Sequence, residues 1–75
     1  NIELYPNPTN DVIYVENLPA DARLRLMNSL GQVIFETTNV NQNRVVVEMK
    51  ELPAAGYWIE IQANNTRTTK LVVKQ

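Results

Sequence analysis

The chain has 75 residues, eight acids against seven bases and a net charge of −1, so it is one small domain without the strongly basic surface of a general nucleic-acid binder. It contains neither cysteine nor histidine, which excludes disulfides, thiolate or imidazole metal ligands, cysteine nucleophiles and a Ser-His-Asp arrangement. A domain of this length buries roughly 60% of its unfolded surface and holds about 4–11 kcal/mol of stability, enough for one core and no deep cleft.

Period-two alternation and β-branched residues predict an all-β chain. The first strand, over 2–5, runs into Tyr5-Pro6-Asn7-Pro8. The prolines push Tyr5 and Asn7 into extended geometry, and neither can donate a backbone hydrogen bond, so the segment must run along a sheet edge or enter one. The Asn7 amide is expected to bond the backbone two residues on and close a turn before Asn10-Asp11. Strands follow over 12–16 and 22–28, the latter placing Leu24 and Leu26 opposite Arg23 and Arg25. Gly31, after Asn28-Ser29-Leu30, fits the left-handed position that ends a hairpin loop with a bulge. Beyond it, the strand over 32–37 sets Val33 and Phe35 on one face, and the strand over 44–49 does the same with Val45 and Val47.

The segment Leu52-Pro53-Ala54-Ala55-Gly56 reads as a loop, with glycine supplying positive φ where needed. In the strand over 56–63, Tyr57, Ile59 and Ile61 oppose Trp58, Glu60 and Gln62. Asn64-Asn65 suits a tight primed turn into a last strand over 66–74. There the alternation points Leu71 and Val73 inward and Lys70, Val72 and Lys74 outward. Seven short strands with this spacing suggest an immunoglobulin-like antiparallel β-sandwich.

Chemistry is sparse. Glu3, Asp11, Glu16, Asp21, Glu36, Glu48, Glu51 and Glu60 could supply a paired-acid site, but the favoured reading is solvated outer-face positions, because a domain this small holds no substrate between two acids. Trp58 near Tyr14 could stack on a sugar ring, which gives an alternative function as a carbohydrate-binding or adhesion module. Against that, a single tryptophan covering a sheet face or a neighbouring domain is the simpler reading. Asn64-Asn65-Thr66 matches a glycosylation acceptor and is read as a turn that meets the pattern by chance. No metal, cofactor or catalytic group is expected, and no apolar run approaches a membrane span.

From Asn65 to Gln75 there are three cations, Arg67, Lys70 and Lys74, and no acid. Lysines there protect an edge strand or steer the tail to an acidic partner. The chain opens at Asn1 rather than Met, and all of 1–75 is read as one domain cut from the end of a longer secreted protein.

Four segments in order carry a family resemblance. They are Tyr5-Pro6-Asn7-Pro8 with the strand after it, Met27-Asn28-Ser29-Leu30-Gly31-Gln32-Val33-Ile34, Leu52-Pro53-Ala54-Ala55-Gly56-Tyr57-Trp58-Ile59, and Lys70-Leu71-Val72-Val73-Lys74. Together they resemble the C-terminal sorting domain (type A) of cargo exported by the type IX (Por) secretion system of Bacteroidota. Asn28 stands where the family often has aspartate, and Asn64-Asn65 where it often has glycine; both keep turn-compatible residues. The resemblance implies a non-catalytic secretion signal that directs its cargo from the periplasm across the outer membrane, to the cell surface or the extracellular space. It implies protein partners, namely the secretion machinery and a sortase-like surface protease that usually removes the label. It implies no nucleic acid and no membrane insertion.

By the same resemblance, partner recognition falls on Gly56, Tyr57, Lys70, Leu71, Val72, Val73 and Lys74. Tyr5, Pro6, Asn7, Pro8, Gly31 and Leu52 are the structural motif residues. A terminal strand can be read by strand addition, and Lys70 and Lys74 are expected as its outward readout while Leu71 and Val73 hold the tail down. An exposed terminal strand also makes a strand-exchanged dimer an expectation. A plain fibronectin-type linker domain is a further rival, one that would be free to sit anywhere in its parent chain.

Overall fold

The computed structural model describes residues 2–38 and 43–75. Seven strands form two packed antiparallel sheets: β1 (Glu3–Tyr5), β2 (Val12–Glu16) and β5 (Arg44–Glu48) in the order β1-β2-β5, and β4 (Val33–Thr38), β3 (Arg23–Met27), β6 (Ala55–Ala63) and β7 (Thr66–Lys74) in the order β4-β3-β6-β7. This is the predicted all-β sandwich, with each strand where the alternation placed it to within a residue or so at its ends.

The core lies between the sheets. Ile13, Val15 and Val47 from the smaller sheet meet Leu24, Leu26, Tyr57, Ile59, Ile61 and Val72 from the larger, with Leu18, Ala22 and Met49 closing the ends. Each of these aliphatic side chains contributes on the order of 1.5–3 kcal/mol on burial, so they set the register. A one-residue slip of any strand would turn its apolar set to solvent.

The turns follow their expected chemistry. Asn64 and Asn65 both adopt positive φ (53° and 62°), the primed hairpin geometry whose twist matches that of the strands it joins. Gly31 sits at φ 83°, its N–H bonded to the Asn28 carbonyl at 3.0 Å. Asn28 Oδ1 accepts from the N–H groups of Leu30 (2.9 Å) and Gln32 (3.0 Å), so one side chain organises the whole loop.

A bulge lies inside β4, beyond the one expected at Gly31, and it corrects the reading of Val33 and Phe35 as partners on one face. Phe35 pairs with Leu26 but Val33 pairs with Met27, a register shift that skips Ile34. Val33 therefore joins the outer side of the sheet. Gly56 needs no positive φ: it lies in β6, where a Cβ would meet Leu71 Cδ1 at 3.5 Å.

The last strand is also corrected. Val72 is fully buried and Lys74 is only 8% exposed, whereas Leu71 is 48% and Val73 38% exposed. The side chains that the alternation turned inward thus face out, and Val72 and Lys74 face in. The cause is the β6–β7 pairing, which sets Val72 opposite inward Tyr57 and Leu71 opposite outward Trp58. Alternation in a run of three aliphatics, Leu71-Val72-Val73, fixes no parity by itself; the partner strand decides it.

Candidate functional site

The residues expected to carry recognition gather at one end of β6 and β7. Tyr57 is buried, and its hydroxyl donates to the Pro53 carbonyl at 2.6 Å, tying the loop before β6 to the core. Leu52 packs partly buried against the same core, its N–H bonded to the Met49 carbonyl at 3.0 Å. Gly56 lies opposite Val73, with Leu71 Cδ1 at ordinary contact distance, 3.5 Å, from where a Cβ would stand.

The cations of β7 have three different fates. Arg67 Nε lies 3.3 Å from Glu60 Oε2. Lys74 points into the sandwich, and its Nζ donates to the Gln75 backbone oxygen at 3.0 Å. Of these three cations, only Lys70 is exposed without an ion pair among the described residues. The basic strip read from the tail thus reduces to one free cation.

The outer face of the larger sheet has two unlike halves. Toward the Asn64-Asn65 hairpin it is a charge ladder. Glu60 accepts a hydrogen bond from Arg25 (3.4 Å) and forms an ion pair with Arg67 (3.3 Å), while Glu36 faces Arg23 (3.6 Å) and Arg25 (3.8 Å). The two guanidiniums cover Glu60 so well that it is buried on an outward face. It departs from the expectation that the carboxylates are solvated. Toward the other end, Val33, Met27, Trp58 and Leu71 stand in one cross-strand row. Trp58 covers the sheet face there, as the simpler reading of that residue has it.

Tyr14 lies on the outer face of the opposite sheet. Its ring is 5.5 Å from that of Tyr5, and the Arg44 guanidinium sits 4.4 Å above it. Trp58 and Tyr14 therefore form no common sugar-stacking platform, which removes the geometry on which the carbohydrate-binding alternative rested. The Tyr5 hydroxyl donates to Glu16, and Glu16 also meets Arg44 at 3.2 Å. The hydrogen bond to the Glu16 carboxylate raises the Tyr5 pKa above its ordinary value, because losing the phenolic proton would set two anions side by side.

The Tyr5-Pro6-Asn7-Pro8 segment does something its residues did not announce. It leaves the smaller sheet after β1 and runs along the outer edge of β7. Asn7 does not close a local turn. Its Nδ2 donates to the Leu71 carbonyl at 2.9 Å and its Oδ1 accepts the Val73 N–H at 3.0 Å. The Thr9 N–H then donates to the Val73 carbonyl at 2.9 Å, and the Thr9 carbonyl accepts the Gln75 N–H at 2.8 Å. Thr9 is itself buried, with Oγ1 donating to the Val12 carbonyl at 2.6 Å and accepting the Asp11 N–H at 3.1 Å.

Two prolines a residue apart correctly implied an edge. Nothing in the sequence named β7 as that edge, or marked Thr9 as its anchor. The strap joins one sheet to the other on this side of the sandwich, so the motif at the start of the chain and the strand at its end form one structural unit.

The site is thus an edge strand seated by Tyr57 and Gly56, displaying Lys70, Leu71 and Val73 and fastened by Asn7 and Thr9. No group of three or more acids that could hold a metal ion occurs among the described residues. No curated protein matches the chain. A family model described as the secretion system C-terminal sorting domain matches residues 3–75. That span takes in the strap, the core strands and the whole of β7, so the chain belongs to the Por secretion-system C-terminal sorting domains, non-catalytic signals that send cargo proteins across the outer membrane to the surface or beyond.

Proposed function

We propose that the secretion machinery reads this label on β7. In this reading Lys70, Leu71 and Val73 are the contact groups, while Val72, Lys74, Gly56 and Tyr57 seat the strand that carries them. The observation that carries it is that β7 lies at the rim of the larger sheet and turns two large aliphatic side chains to solvent. Half-exposed Leu and Val beside Trp58 hold little folding energy for their size, and their burial against a partner would recover it. The domain closes a longer exported cargo chain. A sortase-like surface protease then cuts the label away, and at high concentration β7 can exchange between copies.

The test is localisation of a reporter fused to the domain in a host with the type IX system. Deleting residues 71–75 should leave the reporter in the periplasm, and full export of that truncation would refute the reading. Leu71→Ser with Val73→Ser should impair export far more than Val15→Ala, a core substitution in the smaller sheet of comparable cost in stability. Large destabilisation with export intact would make these side chains structural.

A further inference from the structure

The outward backbone groups at the end of β7 are not free: the Leu71 carbonyl, both groups of Val73 and the Gln75 N–H are taken by Asn7 and Thr9. These groups lie on alternate residues of one strand edge, which are the groups a further strand would use. Pro6 and Pro8 have no N–H, so the segment cannot pair as an ordinary strand. It substitutes a side-chain amide, which has the donor and acceptor of a peptide unit, for the missing backbone.

Such a strap is short. It touches β7 through one side chain and one residue's backbone, whereas the opposite edge of β7 is laddered to β6 along the strand's whole length. Of the two, the strap parts first. Toward Arg67 and Thr69 no strand among the described residues lies beside β7, which ends the sheet order, so an incoming chain has an open stretch on which to begin pairing.

We propose that Asn7–Thr9 is an intramolecular occupant of the strand-docking edge of β7, and that the machinery pairs an extended polypeptide strand with that edge by displacing it. Pairing begins at Arg67 and Thr69 and advances toward Gln75, exchanging the strap's few bonds for a continuous ladder. While fastened, the strap lets β7 be met only through its side chains; released, it exposes the backbone as well. This rests on the reading that β7 is the part of the label that is read.

The chain has no cysteine, which permits a clean lock. Thr9 and Lys74 are bridge partners, at a strand spacing of about 4.8 Å that lies within disulfide range. A full-length cargo reporter carrying Thr9→Cys with Lys74→Cys should be held in the periplasm when oxidised. Added reductant should raise its export about tenfold or more. Full export in both states overturns the proposal.

If the reduced pair is not exported, Asn7→Ala decides. Exchange of the Val73 amide should quicken about tenfold on loss of the two Asn7 bonds, with export at or above the parent level. Unchanged Val73 exchange overturns the proposal, and so does lost export with β3 and β6 still protected, which would make Asn7 a required contact. The deletion of 71–75 separates the two ideas. If it leaves export intact, the reading of β7 fails; if it abolishes export while the lock has no effect, only the strap proposal fails.

Discussion

Val72 and Val73 are the same residue at adjacent positions of one strand, and the sandwich gives them opposite environments. Val72 faces Tyr57 in the core with no exposed surface, while Val73 lies opposite Gly56 on the outer face and is 38% exposed. Val72→Ala removes two buried methyl groups, about 1.6 kcal/mol of transfer free energy, and the cavity left in the core raises the loss to about 2–2.5 kcal/mol. Val73→Ala removes the same atoms from a partly solvated site with no cavity, for about 1 kcal/mol. In a domain of this size the first loss lowers Tm by about 8–20 °C and the second by about 4–8 °C. Urea denaturation of the two variants measures the difference directly. If Val73→Ala costs as much as Val72→Ala or more, the face assignment of β7 is wrong and the tail follows the simple alternation of its sequence.

Asn65→Val should destabilise by about 1–2 kcal/mol, because a β-branched residue must enter the left-handed region at φ 62°; an unchanged urea midpoint would mean the hairpin relaxes into another turn. Glu60→Gln should cost about 1 kcal/mol by weakening the charged hydrogen bonding with Arg25 and Arg67, and the difference from the parent should shrink in 1 M salt. Equal sensitivity of both proteins to salt would show that the ladder holds no net energy. Tyr5 carries a raised pKa, chiefly through its hydrogen bond to Glu16. The stability it adds is therefore present below the ordinary tyrosine value of about 10 and is lost as pH rises through its higher folded-state value. Melting followed across that alkaline range should show a decline that Tyr5→Phe lessens.

Much of the fold was legible because local rules agreed. Alternation located every strand, Asn64-Asn65 and Gly31 matched the backbone geometry of their turns, and Tyr57, Ile59 and Ile61 pointed inward as read. The failures share a cause. The face of β7 is set by its register with β6 across the hairpin from Ala55 to Lys74, which no single strand encodes. Val33 left the face of Phe35 because a bulge at Ile34 consumed one residue of alternation. On the strand expected to carry recognition, the sequence misread the faces: Lys74, read as an outward contact, is buried, and Leu71 and Val73, read as anchors, are displayed. Asn7 was misread because its partners, Leu71 and Val73, are more than sixty residues away. A side-chain amide that bonds a distant backbone looks, in one dimension, like any turn asparagine.

The two prolines of the strap also bear on how the domain meets other copies of itself. An uncovered β7 would act as a template on which the next chain could crystallise, strand upon strand. Pro6 and Pro8 supply no N–H to an approaching neighbour, so the covering segment closes one edge without offering a new one. In polymer terms the fastened strap is a cap on the Leu71–Gln75 stretch of β7: lateral growth there ends after a single, internal step.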